Sequence, residues 1–156
     1  MCARGPAAPS PRSRWRDPPV PPDESRLAAI LRDARRIAVV GLSPKPVRPS
    51  YGVASYLQRA GYTIIPVRPT ERMILGEPVQ PDLRAAAAGG PIDIVNIFRR
   101  SEFVPALLDD LLAVRPRLVW MQVGIRNEAT ARRLEAEGIP VVMDRCLAVE
   151  HHFLGG

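Results

Sequence analysis

Residues 39–51 read VVGLSPKPVRPSY. The stretch closes an apolar run (IAVVGL, 37–42), breaks at Gly41, carries Lys45 and Arg48 among three prolines, and arrives at Ser50. Beyond it, Val53, Ala54 and Leu57 stand at i, i+1 and i+4, the spacing of one helix face, and Gly61 supplies a stop. The pattern predicts a helix over 51–60 with Ser50 as its cap. A buried strand, a short stiff cationic turn and a helix in direct succession form the opening unit of an α/β sheet.

The alternation continues along the chain. Short, nearly continuous apolar runs recur at 62–67 (YTIIPV), 92–98 (IDIVNIF), 118–123 (LVWMQV) and 139–143 (IPVVM). Runs rich in Val and Ile that lack polar alternation suit strands buried on both faces, as in a parallel sheet. Between them, Ser101 is placed to cap a helix with Pro105 in its first turn and Leu107, Leu108, Leu111 and Leu112 as its apolar stripe. Asn127 is placed to cap another that ends at Gly138. A helix over about 24–34 precedes the first strand, and residues 146–153 predict a short last one. The segment 71–90, with Gly76, Pro78 and Pro81, predicts a small hairpin or a short helix through Ala85–Ala88. The fold class expected is α/β, a mostly parallel sheet of about five strands with helices on both sides and right-handed crossovers.

A chain of 156 residues with 46% hydrophobic content suits one domain with a substantial core. That domain is expected over 25–156. Residues 1–22 hold seven of the 18 prolines, and residues 1–16 carry four arginines and no acid. Such a segment buries too little apolar surface to offset its ordering entropy, so 1–24 reads as a disordered Pro/Arg-rich tail. Its prolines oppose the amphipathic helix of a transit peptide, and it has no apolar core for a secretory signal, so the expected location is cytoplasmic. No run reaches the ~18 apolar residues of a membrane span. Two cysteines, one of them Cys2, set no disulfide framework and no metal-ligand spacing.

Setting residues 1–25 aside leaves 18 basic against 13 acidic side chains, a cationic surface that favours anionic partners. The basic residues are scattered, and 5% aromatic content is poor provision for base stacking, which argues against nucleic acid.

In an α/β sheet, ligands bind outside the carboxyl ends of the strands, and the first strand-to-helix turn is the usual phosphate site. A helix N-terminus offers unpaired N–H groups and partial positive charge to an anion. Gly41, Ser43, Lys45, Arg48 and Ser50 all fall in that turn. A plain connecting loop with solvated cations is the competing interpretation. The hydride-carrier fingerprint, G-x-G-x-x-G with an acid about 20 residues on, is absent: Ser43 stands at the second glycine position, and the second strand runs out at Val67, Arg68 and Pro69. An arginine there suits a ribose phosphate, which disfavours NAD and leaves NADP and coenzyme A open.

Several blocks together resemble the small stand-alone CoA-binding proteins related to the CoA-binding domain of the succinyl-CoA synthetase α subunit. They are VVGLSPKPVRPSYGVASYLQRAGY (39–62), PVRP (66–69), ILGEPV (74–79), DIVNIFRRSE (93–102), VWMQVGIRNEATA (119–131) and VVMDRCLAVEH (141–151). The resemblance implies a Rossmann-like three-layer fold that holds coenzyme A. It implies that Gly41, Ser43, Lys45, Arg48 and Ser50 lie near the phosphates, with Val67, Arg68 and Pro69 beside the adenosine. Phe98 and Arg99 would complete that side, and Gln122 and Gly124 would line the cleft. The chain departs from the family pattern at Val47, where glycine is common, and at Arg68, where asparagine is common.

The most reactive-looking group is DRCLAVEHH (144–152). On a helix, Glu150 lies on the same face as Cys146 and disfavours its thiolate, while His151 is rotated about 140° away, so a buried or half-buried structural cysteine is expected. The phosphorylated histidine of succinyl-CoA synthetase-like enzymes belongs to a ligase domain that this chain lacks, so His151 and His152 do not inherit it. Asp93 and Asp144 read as strand punctuation. The expectation is a non-catalytic module binding CoA or an acyl-CoA, as a carrier, sensor, homo-oligomer or subunit of a partner enzyme.

Overall fold

The structure is a computed structural model that describes residues 19–155; the tail expected over 1–24 lies outside them up to residue 18. The chain begins with α1 (Glu24–Asp33), β1 (Arg36–Val40), α2 (Pro49–Arg59) and β2 (Thr63–Val67). A hairpin of β3 (Met73–Ile74) and β4 (Glu77–Pro78) follows, then α3 (Leu83–Ala88) and β5 (Ile94–Ile97). A 3-10 helix (Ser101–Leu107) leads into α4 (Leu108–Val114), β6 (Leu118–Met121), α5 (Glu128–Ala136), β7 (Val141–Val142) and α6 (Leu147–Phe153).

The fold is α/β, as expected. Five parallel strands run in the order β2-β1-β5-β6-β7. The chain moves outward from β1 to β2, returns past the hairpin and α3, and continues from β5 in the other direction. The order thus reverses between β1 and β5, where the loops leaving the two strands part and open a crevice.

Both faces of the sheet are covered, which explains the continuous apolar runs. Ile37, Val39, Ile94, Leu118 and Trp120 point to one side and pack with Leu27, Leu31, Ala54, Leu57 and Leu147 from α1, α2 and α6. Ala38, Val40, Val95, Ile97, Val119 and Met121 point to the other and meet Leu83, Leu111 and Leu134 from α3, α4 and α5. Burying each such side chain fully is worth roughly 1.5–3 kcal/mol. Asp93 punctuates as expected, one carboxylate oxygen accepting from the N–H groups of Arg35 (2.8 Å) and Arg36 (2.9 Å).

Two expected caps are corrected. Helix α2 starts at Pro49, with Arg48 in the cap position and no side-chain cap bond. Proline at the first helical position lacks an N–H that would be orphaned there, so the helix starts earlier and Ser50 lies inside it. Ser101 is not an α-helix cap either. In an α-helix from this point Pro105 would have to donate to the Ser101 carbonyl, and it has no N–H; the segment observed is a 3-10 helix that leads into α4. The Ser101 hydroxyl instead accepts from Arg126 N–H at 3.0 Å. Asn127 caps α5 by accepting from Thr130 N–H at 2.9 Å. Segment 71–90 supplies both structures expected of it, the β3–β4 hairpin and α3. The hairpin lies along the outer edge of β2, with Gln80 N–H donating to the Pro66 carbonyl (2.9 Å) and Arg68 N–H to that of Gln80 (3.0 Å).

Candidate functional site

The crevice is a cavity of about 500 Å³ whose lining residues come from four regions of the chain. The loop after β1 supplies Gly41, Ser43 and Arg48, the first turns of α2 supply Pro49, Ser50 and Val53, and Phe98 follows β5. Gln122 and Val123 follow β6, and Cys146 precedes α6.

Gly41 anchors this rim between two strand ends. Its N–H donates to the Val67 carbonyl at 2.9 Å, while Phe98 N–H donates to the Val40 carbonyl at 2.8 Å. Its φ is 82°, and a Cβ there would stand 2.5 Å from the Phe98 carbonyl oxygen. Only glycine allows both this turn and the close approach of the two loops.

Beyond Gly41 the loop holds itself together. The buried Ser50 hydroxyl accepts from Ser43 N–H at 3.0 Å, and the Ser43 hydroxyl accepts from Lys45 N–H at 3.1 Å. Arg68 donates through its guanidinium to the Leu42 carbonyl at 3.1 Å, so it braces the loop from the end of β2. Val47 is fully outside, 88% exposed, and has no left-handed backbone, so the loop is built without the glycine common at that position.

The floor is polar and closed. Gln122, 4% exposed, donates from its carboxamide to that of Asn96 at 3.0 Å. Asn96 is fully buried between Val39 and Trp120 in the strand register, and its own NH₂ group has no partner. Gly124 turns away with φ 82° and donates its N–H to the Asp144 carboxylate at 2.7 Å.

Of the residues singled out in the sequence, the cavity brings together Gly41, Ser43, Arg48, Ser50, Phe98 and Gln122. Lys45 and Pro69 are exposed, Arg68 and Arg99 half-buried, and Val67 points into the core under the opposite sheet face. None of these, nor Gly124, lines the cavity. Sequence reasoning missed Val53, Val123 and the half-buried Cys146 as wall residues. The last was findable, because a residue just past the final strand shares the carboxyl rim with the loop after β1. Among the described residues no carboxylate lines the cavity, so a cationic, hydroxyl-bearing edge faces apolar walls of Val53, Phe98 and Val123. That arrangement suits a ligand with an anionic part and an extended, weakly polar part.

Among the described residues no cluster of His, Cys, Asp and Glu is fit to hold a metal, and no helix is long and apolar enough to cross a membrane. The protein YneT of Bacillus subtilis (strain 168) is 42% identical over 130 residues, which is 83% of this chain and 95% of that one. The solved structure of cell-free ID.343 from Thermus thermophilus superposes with a TM-score of 0.81 at 39% identity, covering 85% of this chain and 99% of that one. A dinucleotide-forming acetyl-coenzyme A synthetase of Ca. Korarchaeum cryptofilum, with phosphate and ADP, shares the fold at TM-score 0.62 and 22% identity, over 77% of this chain and 27% of its own. The family described as CoA binding domain matches residues 35–152, and with that match over most of its length the chain belongs to this family.

Proposed function

We propose that the crevice between β1 and β5 holds coenzyme A or an acyl-CoA, and that the protein binds this ligand without transforming it, in the cytoplasm. The observation that carries this reading is the joint lining of one cavity by Gly41, Ser43, Arg48, Ser50, Phe98 and Gln122 with no acidic side chain among them. Arg48 would meet phosphate, assisted by the N-terminus of α2 and by Lys45 at the loop tip. Val53, Phe98 and Val123 suit the pantetheine chain, whose amides could reach the carboxamide of Gln122. The cavity fits such a group: its volume falls in the range of small-ligand sites, and Gly41, free to adopt a positive φ, lets the two loops frame it.

The test is a thermal melt of the whole protein with CoA, 3′-dephospho-CoA, NADP and NAD in parallel, repeated with Lys45→Ala and Arg48→Ala. A ligand at 100 times its dissociation constant adds about 2.7 kcal/mol, a rise of several degrees for a domain of this size. The expected result is a rise with CoA that Arg48→Ala removes and Lys45→Ala reduces. A response to NADP equal to that for CoA would overturn the reading.

A second reading makes the chain the CoA-site subunit of a two-component ligase or transferase. The likeness of fold to about a quarter of a longer synthetase favours it. It differs in a simple observable, since it requires a stable partner chain that co-purifies.

A further inference from the structure

At the opposite end of the sheet, on the side of α1, α2 and α6, a second cavity of about 230 Å³ opens beside the residues that precede β1 and β2. Its floor is apolar and aromatic, formed by Leu31, Ala34, Tyr62 and Leu154. Its rim carries Arg32 and Arg35, and His151 of α6 stands in its wall. An adjoining recess meets it at Ala60 and His151 and adds Arg59. Among the described residues no carboxylate lines either opening and Arg32, Arg35 and Arg59 form no ion pair, although Arg35 donates to the Arg32 and Ala34 carbonyls at 3.4 and 3.3 Å and Arg59 to that of Ser55 at 3.4 Å.

His151 is fixed in this wall. It is 4% exposed, its Nδ1 lies 2.9 Å from the Tyr56 hydroxyl, and the rings of Tyr56 and Tyr62 stand edge-on to it at 5.5 and 5.4 Å. The Tyr62 hydroxyl is spent on the Leu31 carbonyl. In the tautomer in which Tyr56 donates to Nδ1, the imidazole proton sits on Nε2, which has no partner among the described residues. An imidazole in the wall, guanidinium groups without a described carboxylate partner at the mouth and an apolar floor make a complementary set for one kind of guest.

We propose that this cavity is a second binding site, for a small organic carboxylate with an apolar body. A volume of about 230 Å³, just below the usual range of small-ligand pockets, suits a compact acid. The site lies at the amino ends of β1 and β2, whereas the crevice lies at the carboxyl ends. Five-residue strands separate the two by about 16 Å, too far for atoms of the two guests to react. The guest is therefore an effector or a passenger. It is not a co-substrate.

The test uses benzoate, the uncharged benzamide and inorganic phosphate as probes, by calorimetry and by amide chemical shifts of the full chain. Benzoate is expected to saturate at millimolar concentration, with shifts at Ala28, Ala60 and Tyr62, and to bind about tenfold or more tighter than benzamide. Arg32→Gln with Arg35→Gln is expected to weaken benzoate by about tenfold or more. Arg48→Ala, in the crevice, leaves it unchanged, so failure here is separate from failure of the CoA reading. Both rim arginines are exposed, and Arg32 makes no side-chain bond, so Arg32→Gln alone serves should the double variant melt early. Linear uptake without saturation, equal binding of benzamide or phosphate, shifts confined to the crevice, or indifference to the rim substitutions would overturn the proposal.

Discussion

The two faces of the sheet are built from different chemistry. Under α3, α4 and α5 the buried contacts are aliphatic, and the buried polar residue on that side among those described is Thr130, in the first turn of α5. Under α1, α2 and α6 lie Ser50, Asn96, Gln122 and His151, together with the Tyr62 hydroxyl and a Trp120 indole that donates to the Arg145 carbonyl at 2.8 Å. Buried polar groups are costly unless paired, and aliphatic packing is not. Both cavities open on the polar side. The aliphatic side stabilises the frame, and the polar side forms the parts that meet ligands.

The strongest way to break this comparison is to damage each side once. Leu111→Ala, in the aliphatic face, is expected to cost about 3 kcal/mol by leaving a cavity, while CoA still raises the melting midpoint of whatever remains folded. Gly41→Ala is expected to cost about 2 kcal/mol, from the positive φ and the clash with the Phe98 carbonyl, and to abolish the response to CoA altogether. Equal ligand loss in both variants would dissolve the distinction.

A smaller effect sharpens it. Tyr56→Phe removes the hydroxyl bonded to His151 and is expected to cost about 1 kcal/mol in denaturant midpoints. Burial, and then the neighbouring His152, hold the His151 imidazole below its usual pKa of 6.5. The unfolded chain therefore takes up a proton as pH falls through about 6.5 that the native protein refuses, so stability declines from there until the lowered native value is passed. Melts between pH 7.5 and pH 5, flattened by His151→Gln, check this.

The smallest expected effect concerns Glu135 on α5. Burial raises its pKa; one oxygen accepts from Val20 N–H at 3.2 Å, which partly offsets the rise, and the other is buried without a partner. A raised carboxyl favours folding only where it is protonated, so at neutral pH the charge is a burden. Glu135→Gln is expected to raise the midpoint slightly at pH 7, by about 0.5 kcal/mol, and to leave it unchanged below the ordinary carboxyl range.

The frame was legible because its signals are local. Apolar runs around 39, 64, 95 and 119 state their burial on both faces by themselves, and Asn127 states its cap by its place before an apolar pattern. The loop from Gly41 to Ser50 was legible for the same reason. The far wall was not, since Val123 and Cys146 join it only through the parallel order of β1, β5, β6 and β7. Side-chain direction was equally hidden: Arg68 donates to the Leu42 carbonyl, a contact within the loop that no spacing in the sequence announces. Ser50 and Ser101 were misassigned because a neighbouring proline decided where the backbone could start a helix.

The β3–β4 hairpin also governs how molecules of this protein can meet. An exposed edge of a parallel sheet offers a row of free N–H and C=O groups to any passing strand, the usual route to fibres and swapped aggregates. Here Gln80 occupies the far end of β2, and the opposite margin is a strand of only two residues, Val141 and Val142. One margin is thus bridged at its end and the other is too short to template a long ladder, which leaves little edge for another strand to extend.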